Sequence, residues 1–159
     1  MSVEEYINKL VEASDKKYSL LKDILFITRE QSQSINEDGI EALQKLVGEK
    51  QKKIDEIDKI DEVFNEYFQR LKQTLGIKSL DEAKGSEING IGRLKDSIGA
   101  IMAVVKEISE IEKSNNKKAK EVLDSLANKI KQANLGKQLN NAYMPVPNMM
   151  PSYYIDKKK

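Results

Sequence analysis

The chain has 159 residues, with 27 Lys and Arg against 26 Asp and Glu, and its formal net charge is +1. It contains neither Cys nor His, which excludes disulfides, zinc–thiolate sites and histidine acting as ligand or general base. The balanced charge gives no global basic field for nucleic acid, and a composition of 33% charged and 6% aromatic residues is typical of long helices.

The sequence predicts a cytoplasmic protein without membrane insertion. Residues 1–5 lack the basic and apolar regions of a secretory signal. The longest apolar run, residues 98–105, has eight residues, whereas about 20 are needed to span a bilayer.

The first predicted helix covers about residues 2–35. Ser2 is the expected N-cap, and Glu5 completes a capping box. Apolar residues recur every three or four positions, as on a helix at the surface of a bundle. The Asn-Glu-Asp-Gly sequence at 36–39 predicts a break, with Asn or Asp as the next N-cap and Gly allowing the turn.

The second predicted helix covers about residues 39–75 and ends at Gly76, a typical C-terminal cap. Lys50 and Asp61 interrupt its apolar stripe. Either both side chains extend to solvent at the edge of the stripe, or they set the register between helices. Ser79 is expected to cap a short turn that places Leu80 at the end of the bundle.

The third predicted helix covers about residues 88–134 and carries the most regular apolar stripe. Between Ile91 and Ala133 the stripe takes twelve steps over 42 residues, a mean of 3.5. This period is typical of a helix that supercoils against partners. A helix of this length needs the other two to cover its stripe.

Several positions of the third helix leave alternatives open. Gly90 and Gly92 favour a start after Gly92, and Gly99 favours a close backbone approach. The run at 98–105 is apolar on all sides, which indicates either burial on two sides or an exposed patch for a partner. A kink at Asn115 stays open, and Gly136 is the expected C-cap.

Residues 137–159 differ from the rest of the chain. All three Pro lie in this tail, with three of the five Met and three of the six Tyr. Pro at this density prevents a helix, so we expect a flexible tail. Its Met and Tyr side chains favour a segment that orders on a partner. The alternatives are a tail that folds back onto its own bundle and one without a role.

No catalytic, cofactor or metal site is predicted, and we expect a protein that is not an enzyme. The carboxylates lie beside Lys at helical spacing, as in a solvated helix face. Gly90 and Gly92 lack the third Gly and the preceding strand of a dinucleotide-binding loop.

Two segments resemble FlgN-type flagellar export chaperones. Residues 40–51, Ile-Glu-Ala-Leu-Gln-Lys-Leu-Val-Gly-Glu-Lys-Gln, are similar to the family's helix that follows an acidic turn. Residues 153–158, Tyr-Tyr-Ile-Asp-Lys-Lys, are similar to the ending of Gram-positive members. The length, the helical content and the tail containing Pro agree with the family.

The resemblance implies a cytosolic chaperone of the flagellar type III export system. Such a protein binds hook-filament junction (hook-associated) proteins through their C-terminal helical regions, prevents premature assembly and brings them to the export gate. The alternatives are a structural coiled coil that self-assembles, including as a homodimer, and a chaperone of another secretion client. No nucleic acid partner is expected.

The predicted fold is therefore all-α. It is an elongated antiparallel bundle of three long helices within residues 1–136, followed by a partner-binding or autoinhibitory tail at 137–159. The expected partner-binding side chains are large and apolar, from the third helix and the tail: Ile98, Ile101, Met102, Val105, Ile108, Tyr143, Met144, Met149, Met150, Tyr153, Tyr154 and Ile155.

Overall fold

The computed structural model describes residues 1–83 and 88–138, and it contains three α-helices and no strand within those two ranges. The elements in chain order are α1 (Val3–Ser34), α2 (Ile40–Leu75), a single 3₁₀ turn (Leu80–Glu82) and α3 (Ile91–Gln138). The prediction of an all-α bundle of three long helices is confirmed. The longest, α3, has 48 residues, or about 72 Å at a rise of 1.5 Å per residue.

Side-chain pairs show how the helices run. Partners of α1 occur in descending order along α2 and in ascending order along α3, so α2 is antiparallel to α1 and α3 is parallel to it. The pairs are Lys17–Asp61 and Gln31–Lys50 with α2, and Asp15–Arg93 and Thr28–Asn115 with α3.

α1 is the central helix of the bundle. It packs closely against both α2 and α3, whereas α2 and α3 approach each other closely at few points. The buried residues form two apolar clusters along α1. One lies near the α2–α3 connection and contains Ile7, Leu10, Val11, Leu71, Ala83, Ile91 and Leu94; the other contains Leu21, Ile24, Leu25, Ile57, Val104 and Ile108.

Local sequence explains where most helices begin and end. At Ser2 the hydroxyl accepts from the Glu5 N–H and the Glu5 carboxylate accepts from the Ser2 N–H, which confirms the capping box. The bond from the Ser2 N–H, followed by the interaction with the Ser2 hydroxyl, lowers the pKa of the Glu5 carboxyl. Gly76 ends α2 at φ 68°, as predicted. Ser79 precedes the 3₁₀ turn, and the Glu82 carboxylate accepts from the Ser79 N–H.

The turn between α1 and α2 differs from the expectation. Gly39 is the N-cap of α2, and no side chain caps this helix, so the prediction of an Asn or Asp cap is wrong. A Cβ atom at Gly39 would lie 2.2 Å from the carbonyl oxygen of Ser34. The chain turns so tightly here that only glycine fits.

The bounds of α3 also correct the sequence reading. The helix begins at Ile91, so the predicted start after Gly92 is wrong. Gly90, just before it, has φ 87°, and a Cβ there would lie 2.9 Å from Ile7 Cγ2. Gly99 faces open space, so the predicted close approach is wrong. The helix continues through Gly136 to Gln138, so Gly136 is not the C-cap.

A buried polar layer joins all three helices. Lys50 of α2 is 5% exposed, and its ammonium donates to the Gln31 amide oxygen of α1 at 3.2 Å and to the Glu112 carboxylate of α3. The expectation that Lys50 extends to solvent is therefore wrong. Asp61 instead pairs with Lys17 of α1 at 2.7 Å. Lys50 and Asp61 of α2 thus each bond to a side chain of another helix, which is what a residue that sets the register between helices must do.

Asn115 forms a second polar contact and keeps α3 continuous beside α1. Its Nδ2 donates to the carbonyl oxygen of Thr28 at 3.1 Å, and its Oδ1 accepts from the Ser32 hydroxyl at 2.6 Å. Asn115 is buried, yet both ends of its amide are satisfied. The helix has no break here, and the Asn115 side chain bonds α1 rather than its own backbone.

We predict that Glu112→Ala lowers the free energy of unfolding by about 3–5 kcal/mol, because it leaves the Lys50 ammonium buried without its counter-charge. The double variant Lys50→Met/Glu112→Leu should recover most of this loss, since no buried charge remains. Urea unfolding followed by circular dichroism measures both.

Glu66→Ala provides the control for that experiment, because Glu66 pairs with Arg70 on the exposed face of α2. Exposed pairs contribute little, so this variant should unfold close to the wild type. If Glu112→Ala were no more destabilising than Glu66→Ala, the polar layer would not hold the helices together.

Candidate partner-binding groove

An open groove lies where α2 and α3 fail to close over α1, near the connection between them. Its volume is about 480 Å³. α1 contributes the floor, α2 and α3 the two walls, and the α2–α3 connection one end. The lining residues are Ala13, Ser14 and Lys17 of α1; Ile60, Asp61, Phe64 and Phe68 of α2; Lys78, Ser79 and Leu80 of the connection; and Ile98, Ile101 and Met102 of α3.

The α2 wall is aromatic. Phe64 and Phe68 are four residues apart and therefore share a helix face. Their ring centroids are 5.6 Å apart with the planes tilted by 40°. Both rings also pack against the apolar cluster near the α2–α3 connection. The wall is therefore anchored in the core while one side faces the groove.

The α3 wall ends in an exposed methionine. Ile101 and Met102 follow Ile98 by three and four positions, so the three side chains project from neighbouring parts of one helix face. The isoleucines are half-buried, whereas Met102 is 66% exposed. Gly99, Ala100 and Ala103 are also exposed. Of the two interpretations of residues 98–105, the structure favours the exposed patch over burial on two sides.

The floor combines an ion pair with an unsatisfied hydroxyl. The Lys17–Asp61 pair crosses from α1 to α2 at 2.7 Å, with both side chains partly exposed. Beside it, Ser14 is 1% exposed, and its hydroxyl has no hydrogen-bond partner within residues 1–83 and 88–138. A buried hydroxyl without a partner is unfavourable, so the floor is not packed for maximum stability.

The groove is short compared with the bundle. Its lining residues on α2 run from Ile60 to Phe68, a length of about 12 Å at 1.5 Å per residue. This length matches about two turns of a helix. The groove can therefore accept two or three neighbouring apolar side chains from a partner.

The structure divides the predicted partner-binding residues. Ile98, Ile101 and Met102 line the groove. Val105 packs against the second apolar cluster, and Ile108 is fully buried within it, so Ile108 is a core residue in this conformation. The predicted tail residues lie outside the described part of the chain: Tyr143, Met144, Met149, Met150, Tyr153, Tyr154 and Ile155.

Sequence reasoning missed the α2 wall. Ile60, Phe64 and Phe68 belong to the apolar stripe of α2, and the stripe by itself predicts only a helix face turned towards the bundle. Their period is the same whether they face the core or a groove, so spacing offers no signal. The adjacent pair of Phe side chains, in a chain with three Phe, is the one feature that marks this wall.

Metal binding and membrane insertion are two other kinds of site to consider for residues 1–83 and 88–138. These residues contain no cluster of three or more acidic residues arranged to hold a metal ion. None of their helices is long and apolar enough to cross a membrane. The groove is thus defined by shape and apolar surface.

The family model described as FlgN protein matches residues 1–148. The chain belongs to the FlgN family. No curated protein and no solved structure matches it. The FlgN family consists of flagellar export chaperones, which confirms the resemblance noted from the sequence. The match ends at residue 148, before the Tyr-Tyr-Ile-Asp-Lys-Lys ending that contributed to that resemblance.

We predict that Ser14→Ala raises the free energy of unfolding by about 1 kcal/mol, because it removes a buried hydroxyl that forms no hydrogen bond. Thermal and urea unfolding measure the change. Ser32→Ala is the matched control, since the Ser32 hydroxyl donates to Asn115; this variant should be destabilised. Equal destabilisation of both variants would contradict the prediction.

Proposed function

We propose that this FlgN-family chaperone binds the C-terminal helical region of a hook-associated protein through the groove between α2 and α3. Occupation of this client segment prevents premature assembly, and the complex then travels to the export gate. The family places the protein among flagellar export chaperones; the client, the binding surface and the delivery step are the proposal.

The observation that carries this proposal is the open side of the bundle between α2 and α3. Groove-lining side chains are mainly apolar, and Met102 projects into solvent at the edge. An amphipathic helix binds such a groove through apolar anchors at positions i, i+3 and i+4. Met adapts to different side chains, which suits a surface that receives a client and later releases it.

The position of the groove also bears on the role of the tail. Met102 and Gln138 are 36 residues apart on one continuous helix, about 54 Å at 1.5 Å per residue. From Gln138, a fully extended chain reaches Tyr143 within about 18 Å and Met150 within about 43 Å. Both distances fall short of the groove, whereas the same count from Gln138 gives Tyr153, Tyr154 and Ile155 a reach of about 54–61 Å.

We propose a tail that holds the client rather than one that competes for the groove, because four of its seven large apolar side chains fall short of the groove: Tyr143, Met144, Met149 and Met150. These four can contact parts of a client that extend beyond the groove. We propose that the groove and the tail bind the client at two separated points. Two linked contacts strengthen binding beyond either one alone.

We predict that Met102→Glu reduces capture of the client by about tenfold or more, because a charge replaces an apolar contact at the edge of the groove. The measurement is co-purification with the C-terminal helical region of a hook-associated protein from the same source, followed by titration calorimetry.

Phe26→Glu is the matched control for Met102→Glu. Phe26 is 65% exposed, nearly the same as Met102 at 66%, but it lies on α1 and does not line the groove. This variant should bind the client like the wild type. Equal loss in both variants would overturn the assignment of the groove, and self-association without any client complex would favour the structural coiled coil.

We also predict that removal of residues 139–159 weakens client binding while leaving a measurable complex through the groove. Calorimetry of the truncated chain against the same client fragment tests this, with circular dichroism as the check that the helices remain intact. Tighter binding after truncation would contradict the proposal, because it would mean that the tail competes with the client.

A further inference from the structure

Positive charge is concentrated in the distal half of α3. Residues 113–138 contain seven Lys and two acidic residues, Glu121 and Asp124. Residues 113–138 therefore carry a net charge of +5, and because the whole chain carries only +1, the other residues carry a net charge of −4. The near-neutral total therefore hides a local basic surface.

Three lysines form the centre of this surface, which we call the lysine stripe: Lys113, Lys117 and Lys120. Their spacing of four and three positions places them on one face of α3. All three are exposed, and none forms an ion pair with any residue of the described ranges. Lys131 lies on the same face, about 27 Å from Lys113 along the helix, with Asp124 between it and Lys120.

Two other lysines of the segment, Lys118 and Lys129, form contacts with the rest of the bundle. Lys118 donates to the carbonyl oxygen of Ser32 at 3.3 Å. Lys129 contacts both carboxylate oxygens of Glu37, at 2.7 and 3.0 Å, and these bonds hold the pKa of Glu37 below its usual value. The structure thus separates lysines that contact the end of α1 and the α1–α2 turn from those of the lysine stripe.

The distal half of α3 is also accessible. The Lys118–Ser32 contact lies near the end of α1 at Ser34. From Ala119 to Gln138, α3 continues for about 28 Å past that point. A partner can therefore approach the lysine stripe and its extension through Lys131 without displacing α1.

We propose that the lysine stripe is a docking surface for a partner protein whose contact surface is acidic. Charge complementarity of this kind accelerates encounter and sets orientation. Residues 113–138 contain no Arg and no aromatic side chain, which are the usual means of holding nucleic acid. The stripe itself lacks the apolar side chains with which a helix inserts into a membrane surface. An acidic protein is the partner that fits.

This proposal is independent of the client groove. The lysine stripe begins 11 residues beyond Met102 on α3, and its side chains do not line the groove. A chaperone can therefore bind a client in the groove and an acidic partner at the stripe at the same time. Loss of one function does not imply loss of the other.

The test measures binding of fluorescein-labelled poly-L-glutamate to the full chain by fluorescence anisotropy. The wild type should bind at low ionic strength and release the probe as salt is added. The triple variant Lys113→Gln/Lys117→Gln/Lys120→Gln should bind about tenfold more weakly. The triple variant with Arg at these positions should retain binding, because the charge is kept.

Lys45→Gln/Lys52→Gln/Lys59→Gln is the matched control. These three lysines are also exposed on one helix, but acidic residues of α2 lie between them. The control loses the same charge and should bind poly-L-glutamate like the wild type. Circular dichroism checks that both triple variants keep the helical content.

Equal weakening by the control would overturn the proposal, because binding would then reflect total charge. Tighter binding of duplex DNA or of phosphatidylserine vesicles through Lys113, Lys117 and Lys120 would also overturn it. The groove variant Met102→Glu should bind poly-L-glutamate normally, which separates this result from the test of the client site.

Discussion

The structure depends on one constraint: α1 alone must cover the apolar stripes of two longer helices. It does so by packing against α2 on one side and α3 on the other, while α2 and α3 approach each other closely at few points. The α2–α3 side is therefore the least closely packed of the three, although Lys50 and Glu112 still join it. The groove is the direct consequence, because no fourth helix is present in the described residues to cover that side.

The polar contacts explain how such an open bundle keeps one register. Apolar stripes of similar period can slide past each other, since each shift by one heptad restores similar contacts. The Lys50 ammonium reaches both Gln31 and Glu112, so only one alignment of the three helices satisfies it. Asn115 repeats this for α1 and α3. Polar residues that interrupt the stripes thus specify the alignment.

The same arrangement gives the three parts of α3 different surroundings. Its proximal half forms a wall of the groove, its middle contributes Glu112 and Asn115 to the polar contacts, and its distal half extends past α1. In the two proposals above, one long helix that is exposed differently along its length offers separate surfaces for a client and for an acidic partner.

The sequence by itself determined the number of helices, most of their bounds, the capping box at Ser2 and the end of α2 at Gly76. These features depend on the spacing of apolar residues and on the backbone preferences of residues close together in the sequence. Only the tertiary structure decided that Lys50 is buried, that Gly99 faces open space and that Phe64 and Phe68 line a groove. The apolar period marks the inward face of a helix, but which neighbour covers that face depends on how far the other helices extend and where they lie.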